Sequence, residues 1–175
     1  MAIIDKIYDA VDDFGMITSA EARELGLSST ELVQQARRGK LVRVARGVYR
    51  MPVWPQQEAA PYALAVKAAG TSARLSGESV VALLKLAPTD PSRVHVSVPG
   101  RNRRNLGKGV RVTPCATDAP VAYYEGIACQ PAADAIRQAA RTMGPSRAAD
   151  AAREALRQGY LTKTETENLL EELKR

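Results

Sequence analysis

Residues 15–52 read GMITSAEARELGLSSTELVQQARRGKLVRVARGVYRMP, and the punctuation of this stretch sets the expected fold. Thr18 with Glu21, and then Ser28 with Glu31, have the spacing of capping boxes. In such a box the hydroxyl accepts from one orphan helix amide while the carboxylate reaches back to another. The first box starts a helix over about Ser19 to Leu25 that stops at Gly26, and the second starts one that runs to about Arg38 and stops at Gly39. Only Gly26 and Leu27 separate the two, the tight glycine-containing connection of a helix-turn-helix. Beyond Gly39 the pattern turns from helical to alternating in KLVRVARGVYR, with Gly47 between two β-branched runs, which predicts a hairpin.

Working outward, Ile3, Ile4, Ile7, Tyr8, Val11 and Phe14 recur at helical spacing, opposite Asp5, Asp9, Asp12 and Asp13, so a first helix ending at Gly15 is expected. Three helices followed by a basic hairpin is the order of a winged helix-turn-helix. At 100° per residue, the second helix of the pair places Leu32, Val33 and Ala36 in one arc and Thr30, Gln34, Arg37 and Arg38 in the opposite one. Arg pairs bidentately with guanine and Gln with adenine, while small hydroxyls meet base edges or phosphate. The candidate DNA-binding residues are therefore Ser28, Ser29, Thr30, Gln34, Arg37, Arg38 and Lys40, with Arg43, Arg46 and Arg50 on the wing. An ordinary amphipathic helix with a solvated polar face is the alternative.

Charge distribution favours a polyanionic partner. The chain has 175 residues and a formal net charge of +6. No acid occurs from Leu32 to Gln57, which holds Arg37, Arg38, Lys40, Arg43, Arg46 and Arg50. From Pro91 to Thr117 there is again none, and Arg93, Arg101, Arg103, Arg104, Lys108 and Arg111 fall there. Each phosphate neutralised by such residues releases condensed counterions. The second group, Arg101, Arg103, Arg104, Lys108 and Arg111, is a candidate second basic surface, or equally a solvated hairpin tip.

Past the prolines Pro52, Pro55 and Pro61, taken as a linker, the sequence predicts a second region. Helices are expected over Tyr62–Ala69 and Leu75–Pro88, strands over Arg93–Val98 and Val110–Thr113, and helices again from Pro131 to about Thr142, about Arg147 to Gln158, and after a Thr162/Glu165 cap. The helical tail suits core, dimer or partner contact. The fold class is thus mixed α/β (α+β): a winged helix over 1–54, then a smaller-sheet α/β region with a helical tail over 58–175.

Catalysis finds little support. His95 is the lone histidine, so acid–base, triad and zinc chemistry each lack a member. Cys115 and Cys129 are too few and too far apart for a disulfide framework or a zinc site, and no base lies near Cys115. The loop PGRNRRNLGKG lacks the Gly-Lys-Ser/Thr entry of a phosphate-binding loop. A nuclease metal site would need a strand-borne Asp and a Glu-x-Lys pair, and no acid lies between Asp90 and Asp118. The expectation is a non-enzyme with no cofactor and no metal, neither exported nor inserted in a membrane, and cytoplasmic. A ligand-sensing repressor is neither supported nor excluded.

The residues Gly26, Leu27, Gly39, Leu41, Val42, Arg43, Gly47, Val48, Tyr49 and Pro52 resemble the amino-terminal domain of AbiEi-type antitoxins. LSGESVVALLKLAP, RVHVSVPG, GVRVTPC and GIACQPAADAIRQAAR are similar to the body of the same family, so that the likeness spans most of residues 14–142. The tail from Pro145 to Arg175 departs from the family pattern. The resemblance implies a bipartite protein of a type IV toxin–antitoxin system. Its winged helix would repress its own operon at inverted-repeat double-stranded operator DNA, with self-association on the DNA. Its carboxy-terminal region would counteract a nucleotidyltransferase-like toxin without a stable complex.

Overall fold

Both capping boxes form. Thr18 Oγ1 accepts from the Glu21 N–H at 3.1 Å while Glu21 Oε2 accepts from the Thr18 N–H at 2.8 Å. Ser28 and Glu31 repeat the exchange at 3.2 and 2.7 Å. In the computed structural model, which describes residues 1–175, these boxes start α2 (Ser19–Glu24) and α3 (Ser29–Arg37). Both helices also stop alike. Gly26 and Gly39 take left-handed φ of 78° and 72°, and the next residues, Leu27 and Lys40, donate to the Ala22 and Gln35 carbonyls at 2.9 and 3.0 Å. That closure satisfies the last carbonyls of each helix, and glycine adopts it without a Cβ penalty.

The helix before them, α1 (Ile3–Ala10), ends earlier than the apolar spacing implies. The Asp12 carboxylate accepts from the amides of Phe14 and Met16, both at 2.9 Å, and so competes with helical pairing. The chain turns through Gly15, φ 72°, into β1 (Met16–Thr18), a strand too short to announce itself by alternation. A Cβ built at Gly15 would lie 2.5 Å from the Trp54 Cβ, so no other residue fits there. β2 (Val42–Ala45) and β3 (Val48–Arg50) form the wing, and the sheet order is β1-β3-β2, antiparallel throughout. Ile7, Ile17, Ala22, Leu27, Leu32, Leu41, Tyr49 and Met51 make the core of this winged helix-turn-helix.

The chain divides into two compact units, Met1–Ala68 and Ala69–Arg175, so the division falls later than the proline segment. The residues after the wing belong to the first unit because they are bonded into it. Trp54 Nε1 donates to the Asp13 carbonyl at 3.0 Å, and Gln57 donates to the same oxygen. Lys67, on α4 (Ala60–Ala69), pairs with Asp12 at 3.2 Å and Glu21 at 2.9 Å.

The second unit holds β4 (Arg74–Leu75), α5 (Glu78–Leu83), β5 (Val94–Pro99), β6 (Val110–Cys115), β7 (Ala122–Tyr124) and β8 (Ile127–Cys129). Then follow α6 (Ala132–Met143), α7 (Pro145–Arg157) and α8 (Lys163–Leu173), the last begun by the Thr162/Glu165 box. The sheet order is β6-β5-β4-β8-β7. Leu75, Val96 and Cys129 lie in register with no exposure, on the same row as Val112 and Ala122. Ala135, Ala139, Ala148, Ala151, Ala152 and Ala155 are all buried, so α6 and α7 approach closely through small side chains.

Two sequence expectations for this unit need correction. Leu75 does not begin a helix. It pairs within β4, and the chain turns at Gly77, φ 52°, before the shorter α5. β5 and β6 are parallel, with Val96 opposite Val112, so residues 100–109 are a crossover between strands and no hairpin tip. Parallel strands cannot be joined by a tight turn.

No helix of the chain is long and apolar enough to cross a membrane.

The fold generates two expected outcomes. Leu32→Ala should cost about 2–5 kcal/mol, as for other fully buried leucines, measured by urea denaturation. Burial raises the Glu21 pKa, but the Thr18 amide and Lys67 outweigh it and hold the carboxylate below its usual 4.5. A depressed pKa stabilises above the unfolded value and loses that contribution as pH falls through the folded one. Glu21→Gln should therefore lower Tm at neutral pH and flatten its fall below pH 4.5, with unchanged acid sensitivity counting against the ion pair.

Candidate nucleic-acid interface

The exposed side of α3 is set by what its other side must bury. Leu32 and Gln35 are buried and Ala36 half-buried, which is an i, i+3, i+4 stripe. Val33, expected in that stripe, is instead 38% exposed, since 100° of rotation from Leu32 carries it to the edge of the stripe. Gln35 takes its place at 6% exposure. Ser29, Thr30, Gln34, Arg37, Arg38 and Lys40 are all exposed, and Val33 adds a methyl-bearing surface beside Gln34 that the apolar assignment concealed. Such a group suits the thymine methyl. Ser28 is exposed too, but its oxygen already accepts from the Glu31 amide.

In the wing, Arg46 and Gly47 form the turn between β2 and β3, with Gly47 at φ 71°. The Gly47 carbonyl accepts from the Ser19 N–H at 2.9 Å, which ties the wing turn to the start of α2. Arg43 and Arg46 are exposed. Arg50 behaves differently. Its Nη2 donates to the Trp54 carbonyl at 2.6 Å and to the Pro55 carbonyl at 3.3 Å. The structure thus places Arg50 as an anchor for the segment after the wing, while α3, Lys40, Arg43 and Arg46 present the basic surface.

The second basic group lies in the other unit. Arg101, Arg103, Arg104 and Lys108 are exposed on the β5–β6 crossover, and Arg111 is exposed on β6. Asn102 shapes the crossover. Its Oδ1 accepts from the Arg104 N–H at 3.0 Å and its Nδ2 donates to the Arg104 carbonyl at 3.2 Å.

The titratable groups elsewhere suit structure more than chemistry. His95 is half-buried, and burial, helped by Arg111 and opposed by Glu78, lowers its pKa. Burial pushes the Cys129 thiol up to about 12, which leaves it protonated and unreactive. No group of three or more His, Cys, Asp or Glu side chains gathers into a metal-holding arrangement.

A helix-turn-helix with capped, glycine-closed helices and a basic wing can now be set beside known proteins. Residues 5–52 match the family of AbiEi antitoxin transcriptional regulators. The AbiEi match begins within α1 and ends just after β3, so it covers the elements that carry the α3 and wing surface. Among solved structures, the chain is similar to the RV2827C protein from Mycobacterium tuberculosis, at 15% identity and a TM-score of 0.44, covering 97% of this chain and 79% of that one. No curated protein matches.

Arg50 provides a test of the division of roles within the AbiEi-like unit. Arg50→Ala should lower stability by about 1–2 kcal/mol, the worth of charge-assisted bonds to carbonyls at a half-buried site. Arg46→Ala should leave Tm unchanged and weaken DNA binding. Thermal denaturation paired with DNA titration separates the two, and an unchanged Tm for Arg50→Ala would refute the anchor.

Proposed function

We propose that the protein is an operator-binding repressor that docks α3 in the major groove, with the wing on the flanking backbone. The observation that supports this most is the exposed basic surface of α3 and the wing, with no acid from Leu32 to Gln57, mounted on a helix-turn-helix with closed ends. Gln34, Arg37, Arg38 and Val33 would meet base edges, and Ser29, Thr30, Lys40, Arg43 and Arg46 the phosphates or minor groove. One winged helix offers a small interface of about 600–1,000 Å². Two copies on an inverted repeat, with half-site centres about 34–36 Å apart or a multiple of that, would give a repressor its specificity.

The AbiEi family match supports a second role, antagonism of a nucleotidyltransferase-like toxin, which we assign to the unit from Ala69 onward, acting in the cytoplasm without a stable complex. The two roles are separable in the intact chain. Replacing Arg37 and Arg38 together by Ala should weaken operator binding by about 1–3 kcal/mol per lost base contact, or lower the salt slope by about one unit per lost phosphate contact. Titrations at several salt concentrations measure this, and unchanged binding refutes the docking. Co-expressed with the toxin, the same variant should still rescue growth. Loss of rescue together with loss of DNA binding would place both activities on one surface.

A further inference from the structure

The parallel pairing of β5 and β6 forces the chain to cross over beyond the carboxyl end of β5, and β4, antiparallel to β5, begins at that same end. The turn before β4 and the crossover after β5 therefore face each other. Between them lies a cleft of about 340 Å³. Arg101, Arg103 and Arg104 line one wall, Gly70, Thr71 and Ser72 the other, and no carboxylate lines it anywhere.

We propose that this cleft is a phosphate site that takes the polyphosphate of a nucleoside di- or triphosphate. Its volume falls in the range of small-molecule sites, about 300–1,000 Å³. Guanidinium groups pair with phosphate oxygens through two parallel hydrogen bonds, and Arg101 and Arg103 on one wall match a ligand carrying charges on adjoining groups. On the opposite wall, Thr71 and Ser72 supply hydroxyls to phosphate oxygens. The crossover is partly preorganised. Asn102 closes one turn through both backbone groups of Arg104, and Asn105 Oδ1 accepts from the Gly107 N–H at 3.0 Å to close another. Fewer conformations are then lost on binding. The inference is independent of operator recognition by α3.

Calorimetric titration of the full chain with pyrophosphate, with ATP, and with a single-stranded oligonucleotide tests it and separates the sources of phosphate. Saturable one-to-one binding of pyrophosphate and ATP is expected, weakened at least tenfold by Arg101→Ala with Arg103→Ala. Thr71→Glu, which places a carboxylate in the cleft, should abolish it, while Arg37→Ala with Arg38→Ala should leave it unchanged. Circular dichroism confirms that each variant is folded. Saturable binding of the oligonucleotide with none of pyrophosphate or ATP overturns the proposal in favour of a strand-binding surface. Absence of binding by all three probes, or equal affinity in the Arg101/Arg103 variant, also overturns it.

Discussion

The reciprocal exchange between Ser28 and Glu31 is the contact on which the winged-helix unit depends. It fixes the residue at which α3 begins, and burial of the stripe on its other side sets which side chains face solvent. Leu32 and Gln35 then enter the core, and Gln34, Arg37 and Arg38 have no course but outward. The Thr18–Glu21 pair does the same for α2, and Glu21 is held by Lys67 as well, so the capping carboxylate also secures the helix that follows the wing.

Capping and closing residues act within four or five positions of each other, which is why the helix-turn-helix was legible in the sequence. Thr18, Ser28 and Thr162 each carry their partner three residues on, and Gly26 and Gly39 mark the ends. Asp12 was misread because an aspartate in an apolar-periodic run looks like an ordinary solvent-facing residue, whereas its carboxylate binds two amides and ends α1. The anchoring contacts of Arg50 are hidden in the sequence for a related reason. Its carbonyl partners lie just beyond the wing, in a segment whose conformation no periodicity reveals.

The second unit was less legible because its organisation rests on pairings distant in sequence. Nothing in RVHVSVPG or GVRVTPC states whether the strands run together or oppositely, yet that one property decides whether the arginines between them sit on a free tip or beside another turn. β4 is two residues long and is defined wholly by its neighbours, with Leu75 held between Val96 and Cys129. Arg74, 4% exposed, was unmarked in the sequence as a core residue. It is accommodated because its Nη1 donates to the Ala119 and Pro120 carbonyls at 2.6 and 3.0 Å.

The chain has one tryptophan, and Trp54 is fastened inside the first unit, its indole N–H on the Asp13 carbonyl and its ring 5.6 Å from that of Tyr8. Its emission is therefore a local spectroscopic reporter: it senses loosening of the segment after the wing and is silent about the alanine-rich helices α6 and α7. Those helices contribute to far-ultraviolet ellipticity without any indole of their own. Intrinsic fluorescence and ellipticity thus weight the two halves of the chain differently, and the wild-type sequence carries its own means of following one half apart from the other.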